Sequence, residues 1–138
     1  MKSFWSALPF PSFHAGYALL RISIGALIFY HGIEVFYPET MESYGKWFTE
    51  LGFPQPLPLA YLGKWLEVFV GLSLMLGLLT RLGALGLIAC MAFIGFGIGK
   101  GRFWYEDQHP FLFLLFGVLF VWGGAGKWSV DERVFKSR

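Results

Sequence analysis

Residues 18–34 read Ala-Leu-Leu-Arg-Ile-Ser-Ile-Gly-Ala-Leu-Ile-Phe-Tyr-His-Gly-Ile-Glu, an apolar run that carries Arg21, His31 and Glu34. A run of this kind crosses a bilayer, yet an ionised side chain near the bilayer centre costs about 2.5–3.5 kcal/mol on insertion scales. Such groups therefore face partners or water. The rest of the chain has to supply those partners, and this requirement constrains the fold more than any other feature.

The remainder of the chain is equally suited to lipid. Of 138 residues, 56% are hydrophobic and only 14% are charged, against about 25% charged in soluble domains. A formal charge of +2 is too small for a nucleic-acid binder. The single Cys90 excludes an intrachain disulfide and a Cys-x-x-Cys redox pair, and in its apolar setting reads as a packed small hydrophobe.

In chain order, residues 1–13 lack the small-residue cleavage site of a secretory signal and read as a retained interfacial start. The first apolar segment covers about 14–37, long enough to span with some tilt, and Pro38 stops it. Within 39–58, Met41, Tyr44, Trp47, Phe48 and Leu51 recur at three- and four-residue spacing. That pattern predicts a short amphipathic helix lying in the membrane interface with its aromatic side among headgroups. Pro58 fits the first position of a second segment at 59–79. Thr80-Arg81 forms a short turn, and a glycine-rich third segment follows at 82–99, where small residues allow close helix approach. A polar, aromatic loop precedes a fourth segment at 110–123. Ser129 and Glu132 have capping-box spacing and predict a terminal surface helix. The expected fold is an all-α membrane protein, a four-transmembrane-helix bundle with one interfacial helix in the first external loop.

Basic residues orient it. Lys2, Arg81, Lys127, Arg133, Lys136 and Arg138 share the side of the termini, against Lys46, Lys100 and Arg102 on the other, with Lys64 just inside the membrane. The positive-inside rule then places both termini in the cytoplasm of a bacterial inner membrane. Measured from the outer helix ends, Glu34 lies about 5 Å deep, His31 and Lys64 about 9 Å, Glu67 about 12 Å and Arg21 about 24 Å. His31 with Glu34, and Lys64 with Glu67, are each three apart and so share a helix face. The two faces match in depth and oppose in charge, so His31 or Lys64 can hold a carboxylate that would otherwise be stranded. Lys64 could instead snorkel to the interface. Arg21 needs a separate partner such as backbone carbonyls, water or a lipid headgroup.

Several motifs then become recognisable together: Leu20-Arg-Ile-Ser-Ile-Gly25, His31-Gly32, Leu66-Glu67-Val-Phe-Val-Gly71, Leu76-Gly-Leu-Leu-Thr-Arg81 and Gly126-Lys-Trp-Ser-Val-Asp131. Their order and spacing resemble the DoxX family of small bacterial membrane proteins. The resemblance implies a four-helix membrane protein associated with thiosulfate:quinone oxidoreductase small subunits and with membrane oxidoreductase complexes. Members often carry a Lys shortly after His-Gly, where this chain has Glu34 and Phe36.

Other chemistries find no support in the sequence. A bis-His haem needs two His at one depth, and His109 reads as a loop or helix-cap residue; no zinc or iron–sulfur ligand spacing exists. Gly123-Gly-Ala-Gly-Lys lacks the strand and full motif of a phosphate loop. Neither haem nor metal is therefore expected. The candidate ligand-binding residues are His31, Glu67, Glu34, Lys64, Arg21, Trp65 and Tyr30, with Phe29 and Phe69 as further aromatic walls, and they suit a quinone held within a redox complex. The partners expected are the lipid bilayer and either a redox partner protein or further copies of the chain. A non-enzymatic scaffold or assembly factor, whose buried charges only set helix packing, is the alternative; a small-solute carrier is disfavoured by the lack of an internal repeat.

Overall fold

The computed structural model describes residues 12–135, so the expectation for the first residues, and Lys2, Lys136 and Arg138, lie outside the described residues. Within it, α1 (Phe13–Gly32) begins at Ser12, whose hydroxyl accepts from the Ala15 N–H, and tightens into a 3-10 turn at Ile33–Phe36. It is followed by α2 (Pro38–Glu50), α3 (Pro56–Leu76), α4 (Thr80–Ala92) running into a π-type turn at Phe93–Ile98, α5 (Gln108–Gly123) and α6 (Val130–Phe135). No strand occurs among the described residues.

Three of these units are long and apolar enough to cross a membrane, namely Phe13–Phe36, Pro56–Leu76 and Thr80–Ile98; α5 is a shorter apolar helix. Large apolar side chains, among them Leu19, Leu27, Leu62, Phe96, Leu112 and Trp122, stand exposed on the outside of the bundle. Lipid is the solvent that suits such a surface. The four apolar helices pack α1 against α3, α3 against α4 and α4 against α5, around Ile24, Ile28, Val70, Leu74, Leu87 and Phe120.

Helix ends differ from the sequence expectation where proline and tertiary contacts decide them. α3 starts at Pro56 rather than near Pro58, since both prolines fit the first turn, where backbone N–H groups lack helical partners. The turn between α3 and α4 falls at 77–79 instead of 80–81. Gly77 takes the left-handed conformation there, and Asp131 accepts from Leu79 N at 2.7 Å and Thr80 N at 2.9 Å, which caps α4 from the far end of the chain. The expected terminal helix forms as α6, with Ser129 Oγ accepting from Glu132 N at 3.1 Å.

The α2 helix is amphipathic as read, but its apolar side is turned onto protein. Met41 and Phe48 are buried with Ala60 of α3 and are flanked by Tyr44, Phe53 and Ile98. Burying these side chains against α3 leaves Trp47 as the half-exposed aromatic of the helix.

Antiparallel α1 and α3 are brought together by glycine. A Cβ on Gly25 would stand 2.7 Å from Met75 N and 2.9 Å from Gly71 O, and one on Gly32 would stand 2.6 Å from Val68 N. These contacts are with backbone and cannot yield cheaply. Gly25→Ala is expected to destabilise the bundle by about 1–3 kcal/mol through overpacking. Gly16→Ala, on the same helix with nothing within 4 Å, should be neutral or stabilising by up to about 1 kcal/mol. Melting curves of the two variants in mild detergent check the contrast, and equal melting temperatures would contradict the close approach.

Candidate functional site

Antiparallel packing brings the last turn of α1 beside the third and fourth turns of α3, and there the buried charges meet. Lys64 Nζ lies 2.9 Å from Glu34 Oε2 and 3.0 Å from Glu67 Oε2, and it also donates to the His31 carbonyl at 3.3 Å. An ammonium has three protons, so all three are spent. Lys64 is thus held inside, with a side chain only 12% exposed, and does not snorkel to the interface. Glu34 Oε2 accepts a further bond from Tyr44 OH at 2.7 Å, and Lys64 Nζ sits 4.8 Å from the Tyr44 ring centroid. Burial, together with the bond donated to Glu34, pushes the Tyr44 phenol above its ordinary range. One lysine therefore joins α1, α2 and α3.

Below this cluster lies a cavity of about 700 Å³. His31, Lys64, Glu67, Cys90 and His109 supply its polar atoms, and Tyr44, Trp47, Phe48, Phe93 and Phe113 its aromatic walls. Its lining includes the exposed Leu62 and Trp47, so it reaches the molecular surface. Glu67 Oε1 faces the Cys90 sulfur at 3.9 Å. Neither imidazole is hydrogen-bonded to a described residue. The cavity thus combines an apolar slot with a few convergent polar groups, the arrangement typical of small-molecule sites.

The candidate residues separate into three groups. His31, Lys64 and Glu67 line the cavity, and Glu34 supports Lys64 from outside the lining. Tyr30 and Trp65 are 67% and 51% exposed and line no part of it. Each lies two residues from a buried position of its helix, about 200° around the axis, and so points outward. Trp65 packs edge-on against Phe36 instead. Arg21 stands at the opposite end of α1, 1% exposed, and donates to Leu74 O at 2.9 Å, to Trp128 O at 2.7 Å and to Ala125 O. Its partners are backbone carbonyls, one of the alternatives weighed from the sequence, and its place is structural. Conversely, Tyr44, Trp47 and Phe48 were legible as an apolar face but not as cavity wall. His109, read from sequence as a loop or cap residue, stands in the first turn of α5 and shares the cavity with His31. No group of three or more His, Cys, Asp or Glu able to hold a metal occurs among the described residues.

A small helical membrane protein with a polar-ended, apolar-walled cavity is the class these features define. The chain belongs to the DoxX family, whose model matches residues 16–99. That span contains Arg21, His31, Glu34, Lys64, Glu67 and Cys90, whereas His109 lies beyond it. The chain is 31% identical over 132 residues to the uncharacterized membrane protein Rv3486 of Mycobacterium tuberculosis, covering 85% of this chain and 80% of that protein. It is 29% identical over 130 residues to CatD of Bacillus subtilis, provisionally named an oxidoreductase, covering 92% of each. No solved structure gives a significant match.

Substitutions at the cluster should rank by the charge they strand. Glu67→Gln keeps an oxygen for Lys64 and is expected to cost about 1 kcal/mol or less, while Glu67→Leu leaves an ammonium proton unpaired and costs about 1–3 kcal/mol. Lys64→Met leaves two carboxylates without their cation and should cost about 3–5 kcal/mol. Thermal unfolding in mild detergent reads this order, and a Glu67→Leu protein as stable as the wild type would show that the pair contributes nothing.

Proposed function

We propose that this chain is a quinone- or isoprenoid-lipid-contacting subunit of a bacterial inner-membrane redox assembly, with both termini in the cytoplasm. The observation that carries the reading is a cavity that joins aromatic walls to two imidazoles without a hydrogen bond to a described residue and to a buried carboxylate. A quinone ring needs an apolar slot with hydrogen-bonding groups near the membrane surface. The His31 and His109 imidazoles suit its carbonyl oxygens as donors, and Glu67 Oε1 suits a hydroxyl of the reduced ring as an acceptor. Bound quinone would supply two-electron chemistry; this chain's residues would orient the ring, exclude water and exchange protons. Electrons would come from a partner protein, a role in keeping with the provisional oxidoreductase name of the Bacillus subtilis relative. The excess of basic residues on the side of the termini supports the orientation.

A second reading has its own observation. Lys64 spends two of its three protons on bonds that cross to α1 and the turn after it, and the third on Glu67 of its own helix, and such bridging is what a scaffold or assembly factor would require of it.

His31→Ala separates the two. Its side chain bridges no helices, so a site residue lost there leaves the melting temperature within about 2 °C, since single surface changes cost about 0.5 kcal/mol or less. Quinone or lipid carried into native mass spectra should then fall at least tenfold. A variant that melts early and still carries the wild-type lipid would end the quinone reading in favour of the scaffold.

A further inference from the structure

The cavity's polar end is unbalanced in charge. Glu34 and Glu67 present two carboxyl groups to the single ammonium of Lys64, and no other ion pair among the described residues involves them. Two carboxyls and one ammonium sum to an excess negative charge, or to zero with a proton that an incoming cation displaces. Either state favours a cation over an anion. Lys64 has no proton left to offer an anionic group, whereas Glu67 lines the cavity and its Oε1 has, among the described residues, only the Cys90 thiol, 3.9 Å away, as a hydrogen-bond partner. The facing groups that could offset the charge are the imidazoles of His31 and His109. Tyr44, Trp47 and Phe93 add ring faces that attract cations as well as apolar bulk. A cavity of about 700 Å³ is of the size that holds a drug-sized molecule.

We infer that this cavity is a binding site for lipophilic cations and discriminates against lipophilic anions of the same shape. The inference rests on the cavity being a ligand site, as proposed above, and not on its ligand being a quinone. Charge sign is the specificity determinant. Glu67 touches the bound cation, and Glu34, which does not line the cavity, acts through its field.

Tetraphenylphosphonium and tetraphenylborate are a matched pair for the test, alike in shape and opposite in charge. Binding of each is measured at pH 8, where an imidazole is ordinarily neutral, to the full chain in nanodiscs of a zwitterionic lipid. Uptake by protein-free nanodiscs is subtracted, and binding of a short-chain quinone is measured in parallel. Saturable binding of the phosphonium, at least tenfold tighter than the borate, is expected. Glu67→Gln and Glu34→Gln should each weaken the phosphonium about tenfold or more, since a unit charge acts on that scale in contact and still does at roughly 7 Å in a partly screened setting. The second variant keeps the test decisive should the first fail to fold. Equal binding of the two ions, or phosphonium binding indifferent to both substitutions, would overturn the inference. Quinone binding without phosphonium binding would overturn it alone, and binding of neither would remove the site reading as well.

Discussion

Everything at one end of the bundle depends on an ammonium held largely away from water. Lys64 lies just over two turns into an apolar helix, and at that depth its charge has to be compensated by the protein. Glu67 comes from its own helix, Glu34 from the turn after α1, and Tyr44 from α2 fastens Glu34 in place. Each partner arrives on a different segment, so satisfying one charge fixes the relative positions of three. The aromatic face of α2 is then committed to the interior, and it becomes the wall of the cavity.

The other end of α1 follows the same logic with different groups. Arg21 is fully buried, and it takes Leu74 O near the end of α3 and two carbonyls of the loop after α5. Carbonyls at a helix C-terminus lack helical donors and carry partial negative charge, so a guanidinium satisfies both deficits. Tyr17 adds a bond from its hydroxyl to Gly124 O at 2.8 Å and packs edge-on against Phe120. Between the two locks, Gly25, Gly32 and Gly71 let the α1 and α3 backbones meet. One end of the bundle is therefore tied together through backbone acceptors, and the other through a charge cluster beside the cavity.

Much of this was legible in the sequence. Helices follow from long apolar runs, and the meeting of Lys64 with Glu34 and Glu67 follows from similar depth on two antiparallel segments, whereas His31 reaches Lys64 through its backbone carbonyl and not through the imidazole. What depth cannot provide is azimuth. Tyr30 and Trp65 share the level of the cluster but face lipid, because neighbouring positions on a helix point in different directions. The role of α2 was hidden for a related reason: an amphipathic pattern looks the same whether its apolar face meets lipid or protein. His109 was missed because Pro110 suggested the start of α5, whereas the helix begins at Gln108 and carries the imidazole in its first turn. Asp131 capping α4 across the chain leaves no local signal at all.

Lys64 and Glu34 are energetically coupled across two segments, and a double-mutant cycle measures that directly. Stability of the wild type, Glu34→Gln, Lys64→Met and the double variant would be read from reversible unfolding in one detergent. A coupling of about 1.5 kcal/mol or more is expected, with the double variant less damaged than the sum of the singles. Additive effects within about 0.5 kcal/mol would show that the two side chains are neighbours without holding each other, and the account would fail.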